Sequence, residues 1–400
     1  MKIGLLPRLI IAIIIGICFG LILPQWWIQL LATFNGLFGG FLNFIIPLII
    51  LGFIAPGIGE LGKGAGKLVA LTTTVAYTST VVAGLLAFFS GRMLFPSLLS
   101  TGSTSGNFEN PEEFLQSPLF EVNLEPVMSV MTALILAFVL GLGLAAINGT
   151  SLQKGMVDFR SIIEKVIHYV IIPLLPVHIL GIFANMTYGG QVAMIMSTFI
   201  KVFAVIIVLH IVMLLAQYST ASALSGKNVF QSLRNMVPAY FTALGTQSSA
   251  TTIPVTLKQT KSNQVREKIA DFVVPLCANI HLSGSTITLV SCSMAVMMLN
   301  GMQPTFTSIF PFILALGLTM IAAPGVPGGA VMAVLGLLQS MLGFSETMTS
   351  LMIALYLAQD SFGTATNVTG DGALSIMVDK LMGNDVNSVE VEEEESSKTA

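Results

Sequence analysis

Apolar runs long enough to cross a bilayer, separated by short polar punctuation, make up most of this chain. A helix needs about 20 predominantly apolar residues to span a hydrocarbon core about 30 Å thick. Runs of that order cover residues 4–23, 34–54, 68–89, 126–146, 162–183 and 192–215. The linkers between them alternate in charge. Lys63 and Lys67, then Lys154, Arg160 and Lys165, then Lys227 and Arg234 mark one side. The longest polar interval, 91–126, sets Glu109, Glu112, Glu113, Glu121 and Glu125 against Arg92. Lys and Arg accumulate on cytoplasmic loops. The N-terminus, the linkers 57–67, 147–165 and 219–234, and the loop 258–268 are therefore expected inside, and 91–126 outside. The first run lacks a small-residue cleavage site and reads as a retained span.

After Arg234 the regular pattern fails. Residues 235–257 are apolar at both ends but are interrupted by Gly245–Pro254, G-T-Q-S-S-A-T-T-I-P, with basic residues Arg234 and Lys258 on either side. A segment that enters and leaves on one face predicts a re-entrant hairpin with a polar tip. A second interruption, A-A-P-G-V-P-G-G-A at 322–330, separates apolar arms at 306–321 and 331–343. Its prolines and glycines forbid a continuous helix. Between the two lies the segment 269–299, broken at N-I-H-L-S-G-S, residues 279–285. A broken membrane helix frees backbone carbonyls, which are hard ligands suited to Na⁺. His281 within that break reads as a hydrogen-bonded packing residue, with a proton carrier as the alternative.

A last helix over 346–382 carries the densest polar chemistry, Y-L-A-Q-D-S-F-G-T-A-T-N-V-T-G-D-G at 356–372. Asp360, Thr364, Asn367 and Asp371 fall on one face at helical spacing. A carboxylate at membrane depth is costly unless paired; the natural partners are a ligand ammonium group and a small cation, the alternative being a stripe that only packs against other helices through hydrogen bonds. Composition agrees: 54% of the 400 residues are hydrophobic and 9% charged, which describes a polytopic membrane protein. No basic patch suits nucleic acid. Cys18, Cys277 and Cys292 lie in apolar runs with no zinc or disulfide spacing.

These motifs together resemble the glutamate/neutral amino acid transporter family, the sodium-coupled dicarboxylate/amino acid:cation symporters. The likeness covers nearly the whole chain in hydropathy. It is most specific in T-Q-S-S-A-T-T-I-P-V-T, in G-V-P-G-G-A and in D-S-F-G-T-A-T-N-V-T-G-D. The resemblance implies an all-α plasma-membrane homotrimer working as an elevator, each protomer with eight transmembrane helices plus two re-entrant helical hairpins and both termini cytoplasmic. Residues 1–67 would hold scaffold helices one and two, 68–92 transport-domain helix three, and 93–126 an extracellular loop. Residues 127–218 would hold scaffold helices four and five with transport helix six, 219–383 the transport core, and 384–400 an acidic disordered tail. Asp360 would take a substrate amino group, with Gly363, Thr364 and Asn367 beside it. Ser248, Ser249 and Ser285 would add hydroxyls, and Val326 and Gly328 backbone contacts. One Na⁺ would sit on Asp371 with carbonyls of Cys277, His281 and Asn367, and a second on carbonyls around Asn279, Met320, Ile321 and Ala323.

Three departures shape the expected substrate. Members that carry acids place an Arg where this chain has Gly363, and prokaryotic relatives often have Arg where it has Gln247. A buried side-chain carboxylate would then lack a bidentate partner, which favours a small neutral amino acid such as serine, threonine or alanine. The family's Asn-Met-Asp-Gly is His281-Leu282-Ser283-Gly284 here, so the Asp of a third Na⁺ site is missing although Tyr77 and Thr80 remain. Tyr356 replaces a further Asp. The competing readings are a proton- or sodium-coupled carrier of acids or C4-dicarboxylates, an intramembrane hydrolase using Ser248, Ser249 or Ser283 with His281, and a passive channel or receptor. The hydrolase lacks a G-x-S-x-G elbow, and a passive pore needs no ammonium site, so no enzymatic activity is expected.

Overall fold

In the computed structural model, residues 5–62, 67–99, 115–122, 124–147, 150–190, 192–320 and 328–383 are described, and every regular element among them is helical. The order is α1 Leu5–Ile22, α2 Gln25–Gly62, α3 Lys67–Leu99, α4 Val130–Ile147, α5 Thr150–Val166, α6 Ile172–Tyr188 and α7 Val192–Ser225. Then follow α8 Val229–Thr246, α9 Ser249–Ser262, α10 Glu267–Ile280, α11 Ser283–Leu299, α12 Phe306–Met320, α13 Gly329–Leu342 and α14 Glu346–Met382. Among the described residues, five stretches are long and apolar enough to cross a membrane: Gln25–Gly59, Lys67–Leu99, Ser151–Tyr188, Ile195–Ser225 and Glu267–Leu299. With the shorter apolar helices around them, they make this a polytopic membrane protein.

The helices fall into two packed groups. One contains α1, α2, α4, α5 and α6, where α2 lies along α4 and α1 along α6. The other gathers α3 and α7–α14 around α14, which packs on α7, α8, α10 and α11. Large apolar side chains on α7, among them Ile200, Val208 and Ile211, point outward, as lipid-facing positions do. Almost the whole of α14 from Met348 to Val378 is buried, polar residues included. Polar contacts bridge the groups. Asn43 donates to Glu346 at 2.7 Å and accepts from Gln339 at 2.7 Å, and His178 Nε2 lies 2.9 Å from Ser350 Oγ.

Both interrupted segments fold near where the pattern places them. Helices α8 and α9 turn back at Gln247, which sits in the left-handed region at φ 54°. Ser248 follows and caps α9 by accepting from the Thr251 amide at 3.2 Å, as an N-cap serine does. The turn is tighter than expected, because Ser249–Pro254 already belong to α9. Helices α12 and α13 flank the second break, where Gly328 at φ 74° starts α13. Residues Ile321, Ala323 and Val326, the interval 100–114 and the tail 384–400 lie outside the described residues. The third break falls at His281–Leu282, between α10 and α11.

Several boundaries differ from expectation: α2 spans Gln25–Gly62 and α7 runs on to Ser225, so the linkers after them are shorter than predicted. Helix α3 runs on to Leu99, so 93–99 is helix and not loop, and Phe95 and Leu99 are buried. Near its end Lys201 donates to the Leu98 carbonyl at 2.7 Å, a favourable place for a cation. The basic linker 147–165 is mostly the amphipathic helix α5, continuous with α6 through a π turn at Ile167–Ile171. Gln153 and Ile163 face inward there, while Lys154, Asp158, Glu164 and Lys165 stay exposed.

A close helix approach occurs at the start of α11. A Cβ on Gly284 would meet the Gly363 carbonyl oxygen at 2.4 Å and Thr366 Cβ at 2.6 Å, so only glycine fits. Gly284→Ala should lower stability by about 1–3 kcal/mol through overpacking. Thermal unfolding of the detergent-solubilised protein would show it against Gly155→Ala, where nothing lies within 4 Å. Equal midpoints for the two variants would mean that α11 can shift at no cost.

Candidate functional site

The chemistry-bearing residues of α14 meet three other breaks in the fold. Asp360 is buried, and its Oδ2 accepts the Gly328 amide N–H at 2.7 Å. The carboxylate thus closes directly onto the start of α13, one turn before Thr364, whose hydroxyl lies 3.5 Å from Oδ1. Gln247, at the first hairpin's turn, donates to Ser361 Oγ at 2.7 Å, beside Asp360 in sequence. Ser248 and Ser249 are buried at the same turn. Tyr356 donates to Ser285 Oγ at 3.0 Å, and Asn367 Nδ2 donates to the same oxygen at 2.9 Å. A polar chain therefore runs from Tyr356 through Ser285 to Asn367.

Asn367 also does what α11's own sequence does not. Leu282 at the N-cap offers no side-chain acceptor, and the first amides of a helix lack intrahelical partners. Asn367 Oδ1 accepts those of Gly284 at 2.7 Å and Ser285 at 3.2 Å, capping α11 from a different helix. In an unbroken helix these two amides would close onto the carbonyls of Ile280 and His281. Their diversion to Asn367 frees both carbonyls from that ladder.

Asp371 is fully buried, and His281 Nδ1 lies 2.8 Å from its Oδ1. Its Oδ2 has no hydrogen-bond partner among the described residues. An orphaned carboxylate oxygen near freed carbonyls is the donor set a Na⁺ takes, so the residues fit the expected ion. Cys277 is buried one turn before the break, its carbonyl accepting the His281 amide at 2.9 Å. Asn279 is exposed and its side chain donates back to Pro275 O at 3.1 Å; no described contact joins it to the others. Met320 is buried at the end of α12, next to the undescribed Ile321 and Ala323.

The pattern along the chain does not reveal Ser79 and Gln217. Ser79 Oγ lies 3.1 Å and Gln217 Nε2 3.2 Å from His281 Nε2, and Gln217 Nε2 also has Ser79 Oγ at 2.9 Å and Ser283 Oγ at 3.2 Å, three neighbours for its two N–H groups. Only their polarity within apolar helices marks them. Ser79, His281 and Asp371 have the connectivity of a serine–histidine–aspartate relay, but Ser79 lies mid-helix in α3. Backbone amides there are taken up by the helix and cannot stabilise an oxyanion. A cavity of about 710 Å³ between the two helix groups, lined by Asn35, Asn43, His178 and Glu346, does not reach Asp360 or Asp371.

The sequence profile of the sodium:dicarboxylate symporter family matches residues 5–381. Among curated proteins, the chain is 23% identical to the serine/threonine transporter SstT of Streptococcus thermophilus (strain CNRZ 1066), over 94% of this chain and 96% of that protein. It is 26% identical to SstT of Streptococcus suis (strain 05ZYH33), over 83% and 94%. It is 25% identical to SstT of Acinetobacter baumannii (strain ATCC 17978), over 94% and 97%.

Asn367→Ala should leave the Gly284 and Ser285 amides unpaired in a buried place, at about 1–3 kcal/mol for each. An unchanged thermal midpoint for the alanine variant would show that α11 finds another cap.

Proposed function

Because the chain belongs to the sodium:dicarboxylate symporter family, whose members are transporters and not enzymes, we propose that it carries a small neutral amino acid of the serine, threonine or alanine kind inward together with Na⁺. The observation that carries the substrate class is Gly363. A Cβ there would lie 3.4 Å from Ser285 N and 3.5 Å from its Cα, ordinary contacts that the packing accepts. Glycine is therefore not imposed by the fold, in contrast to Gly284. What its presence does is withhold a guanidinium from the helix face that bears Asp360. A substrate with a side-chain carboxylate would bring an unpaired charge into a buried place, which costs several kcal/mol. A neutral hydroxy amino acid brings only its ammonium and carboxylate. The relatives named as serine/threonine transporters support the same choice.

The proposed roles are supported, for Asp360, Ser285, Asn367 and Asp371, by the contacts described above. Asp360 pairs with the substrate ammonium and, through Gly328, with the second hairpin. Thr364, Asn367 and Ser285 line the same face, Ser248 and Ser249 approach from the first hairpin, and Val326 contributes backbone from the second. Asp371, with carbonyls of Cys277, His281 and Asn367, takes one Na⁺. Carbonyls around Asn279, Met320, Ile321 and Ala323 take another when the hairpin closes. Ion and substrate each favour the closed hairpin, and such mutual preference is coupling in the thermodynamic sense.

The reading extends to eight spans with two re-entrant hairpins, cytoplasmic termini in the plasma membrane, and a homotrimer held by the α1, α2, α4, α5 and α6 group. The second group would slide against it as an elevator. The polar bonds from Asn43 and His178 to α13 and α14 would have to break at each stroke.

Proteoliposomes containing the purified protein should accumulate radiolabelled serine under an inward Na⁺ gradient and take up little aspartate. Aspartate uptake, or serine uptake driven by a pH gradient and indifferent to Na⁺, would overturn the proposal. Asp360→Asn should weaken serine binding by roughly 100-fold or more, the effect of removing one partner of a buried charge pair. Isothermal titration would contradict its role by finding unchanged affinity. Gly363→Arg should improve aspartate as a competitor of serine uptake by about tenfold or more; no gain would remove the argument from Gly363.

A further inference from the structure

Most of what surrounds Asp371 belongs to the proposed ion site, but the His281 side chain has no part in it. Only its backbone carbonyl does. The ring is nonetheless held firmly at both nitrogens. An ionised carboxylate only accepts, so the hydrogen between His281 and Asp371 resides on Nδ1. That nitrogen donates to Oδ1 at 2.8 Å. Nε2 is left with one lone pair to accept with, and the Ser79 hydroxyl at 3.1 Å and the Gln217 amide at 3.2 Å are the donors within reach of it. The seat is cut to the ring's shape. A Cβ on Gly370 would stand 2.8 Å from His281 Cε1 and 2.7 Å from Gln217 Oε1, so α14 needs glycine immediately before Asp371 for the ring to reach the carboxylate.

We infer that the His281 ring is a positioning residue for the coupling ion: it ties down one oxygen of Asp371 and leaves the other, Oδ2, to the cation. Asp371 Oδ2 is buried and unpartnered among the described residues, while Oδ1 is held by a donor that Ser79 and Gln217 orient from α3 and α7. This is how an outer donor fixes the direction of a ligating carboxylate, and losing such a donor costs about 10–100-fold in metal affinity. The inference rests on the reading of Asp371 as the Na⁺ ligand.

The test uses the purified full-length protein and reads Na⁺ binding directly, as the Na⁺ concentration for half-maximal thermal stabilisation in a K⁺ background, alongside serine binding at saturating Na⁺. Asp371→Asn comes first. If it keeps the unchanged chain's Na⁺ response, Asp371 is not the ligand, and the ion-site reading falls together with this inference. With that response lost, three His281 variants decide the ring's role. Asn places an N–H near the position of Nδ1, Gln places one near Nε2, and Ala places none. His281→Ala and His281→Gln should raise the half-saturating Na⁺ concentration about tenfold or more, while His281→Asn stays within about threefold. Serine affinity at saturating Na⁺ should change far less than Na⁺ affinity in all three. If the alanine variant does not fold, the contrast between Asn and Gln carries the decision. Equal loss in Asn and Gln, or unchanged Na⁺ affinity in Gln, would overturn the inference while leaving Asp371's own role standing. Gln217→Leu should reproduce the direction of the Gln variant with a smaller shift, since it removes one holder of Nε2 and leaves the Nδ1 donor.

Discussion

Two carboxylates buried on one helix are the constraint to which the rest of the core answers. A charge at membrane depth is tolerated only with partners supplied close by, and α14 cannot supply them from its own backbone. Each acid is therefore met by a place where another helix is interrupted. Asp360 receives the amide at the start of α13, and Asp371 receives the side chain at the end of α10. The interruptions are in turn expensive, because they leave amides and carbonyls outside any ladder. Asn367 offsets that penalty for α11. Carboxylates and breaks thus stabilise one another, and neither would be tolerable alone.

The same reciprocity explains why glycine is concentrated where α14 is crossed. Gly284 lets the start of α11 come within bonding reach of Asn367, and Gly370 lets His281 reach Asp371. In both cases a side chain on one helix needs the backbone of another to stand unusually close. Gly328 serves differently. Its left-handed φ of 74° turns the chain into α13 so that its own amide faces Asp360, a conformation that suits glycine.

Much of this architecture was legible in the chain, and for stated reasons. The bounds of α14 at Glu346 and Met382 coincide with the expected 346–382, and in the structure Ser345 caps its first turn and Gly383 ends it. The interruptions near Gln247 and His281 announce themselves as polar residues inside apolar runs. The partners of those residues do not. Ser79 and Gln217 are single polar residues far away in sequence, and only packing brings them to one ring. The extension of α3 to Leu99 was hidden for a similar reason: Phe95 and Leu99 are held by tertiary burial, while the composition around them looks like loop. The helix α5 was masked by its charges, which read as a linker although they occupy only one of its faces.

Asp360 holds the closing argument about coupling. In the observed arrangement its Oδ2 is engaged by the second hairpin's amide, its Oδ1 has the Thr364 hydroxyl at 3.5 Å, and the Tyr356 hydroxyl also interacts with the carboxylate. An ammonium group approaching Oδ1 would add its charge without displacing the hairpin, since a carboxylate can accept on both oxygens. On the proposed reading, substrate and hairpin would be served by different oxygens of one group, and each would strengthen the electrostatic case for the other. Asp371 has the same division: one oxygen is bound by the protein and one is left over. A ligand can shift a conformational equilibrium only by its differential affinity for the two states. A carboxylate that is half engaged by a movable element, with its other half open to a cation, would be a direct way to create that difference at Asp360, while at Asp371 the fixed His281 ring would set the direction of the oxygen left for a cation.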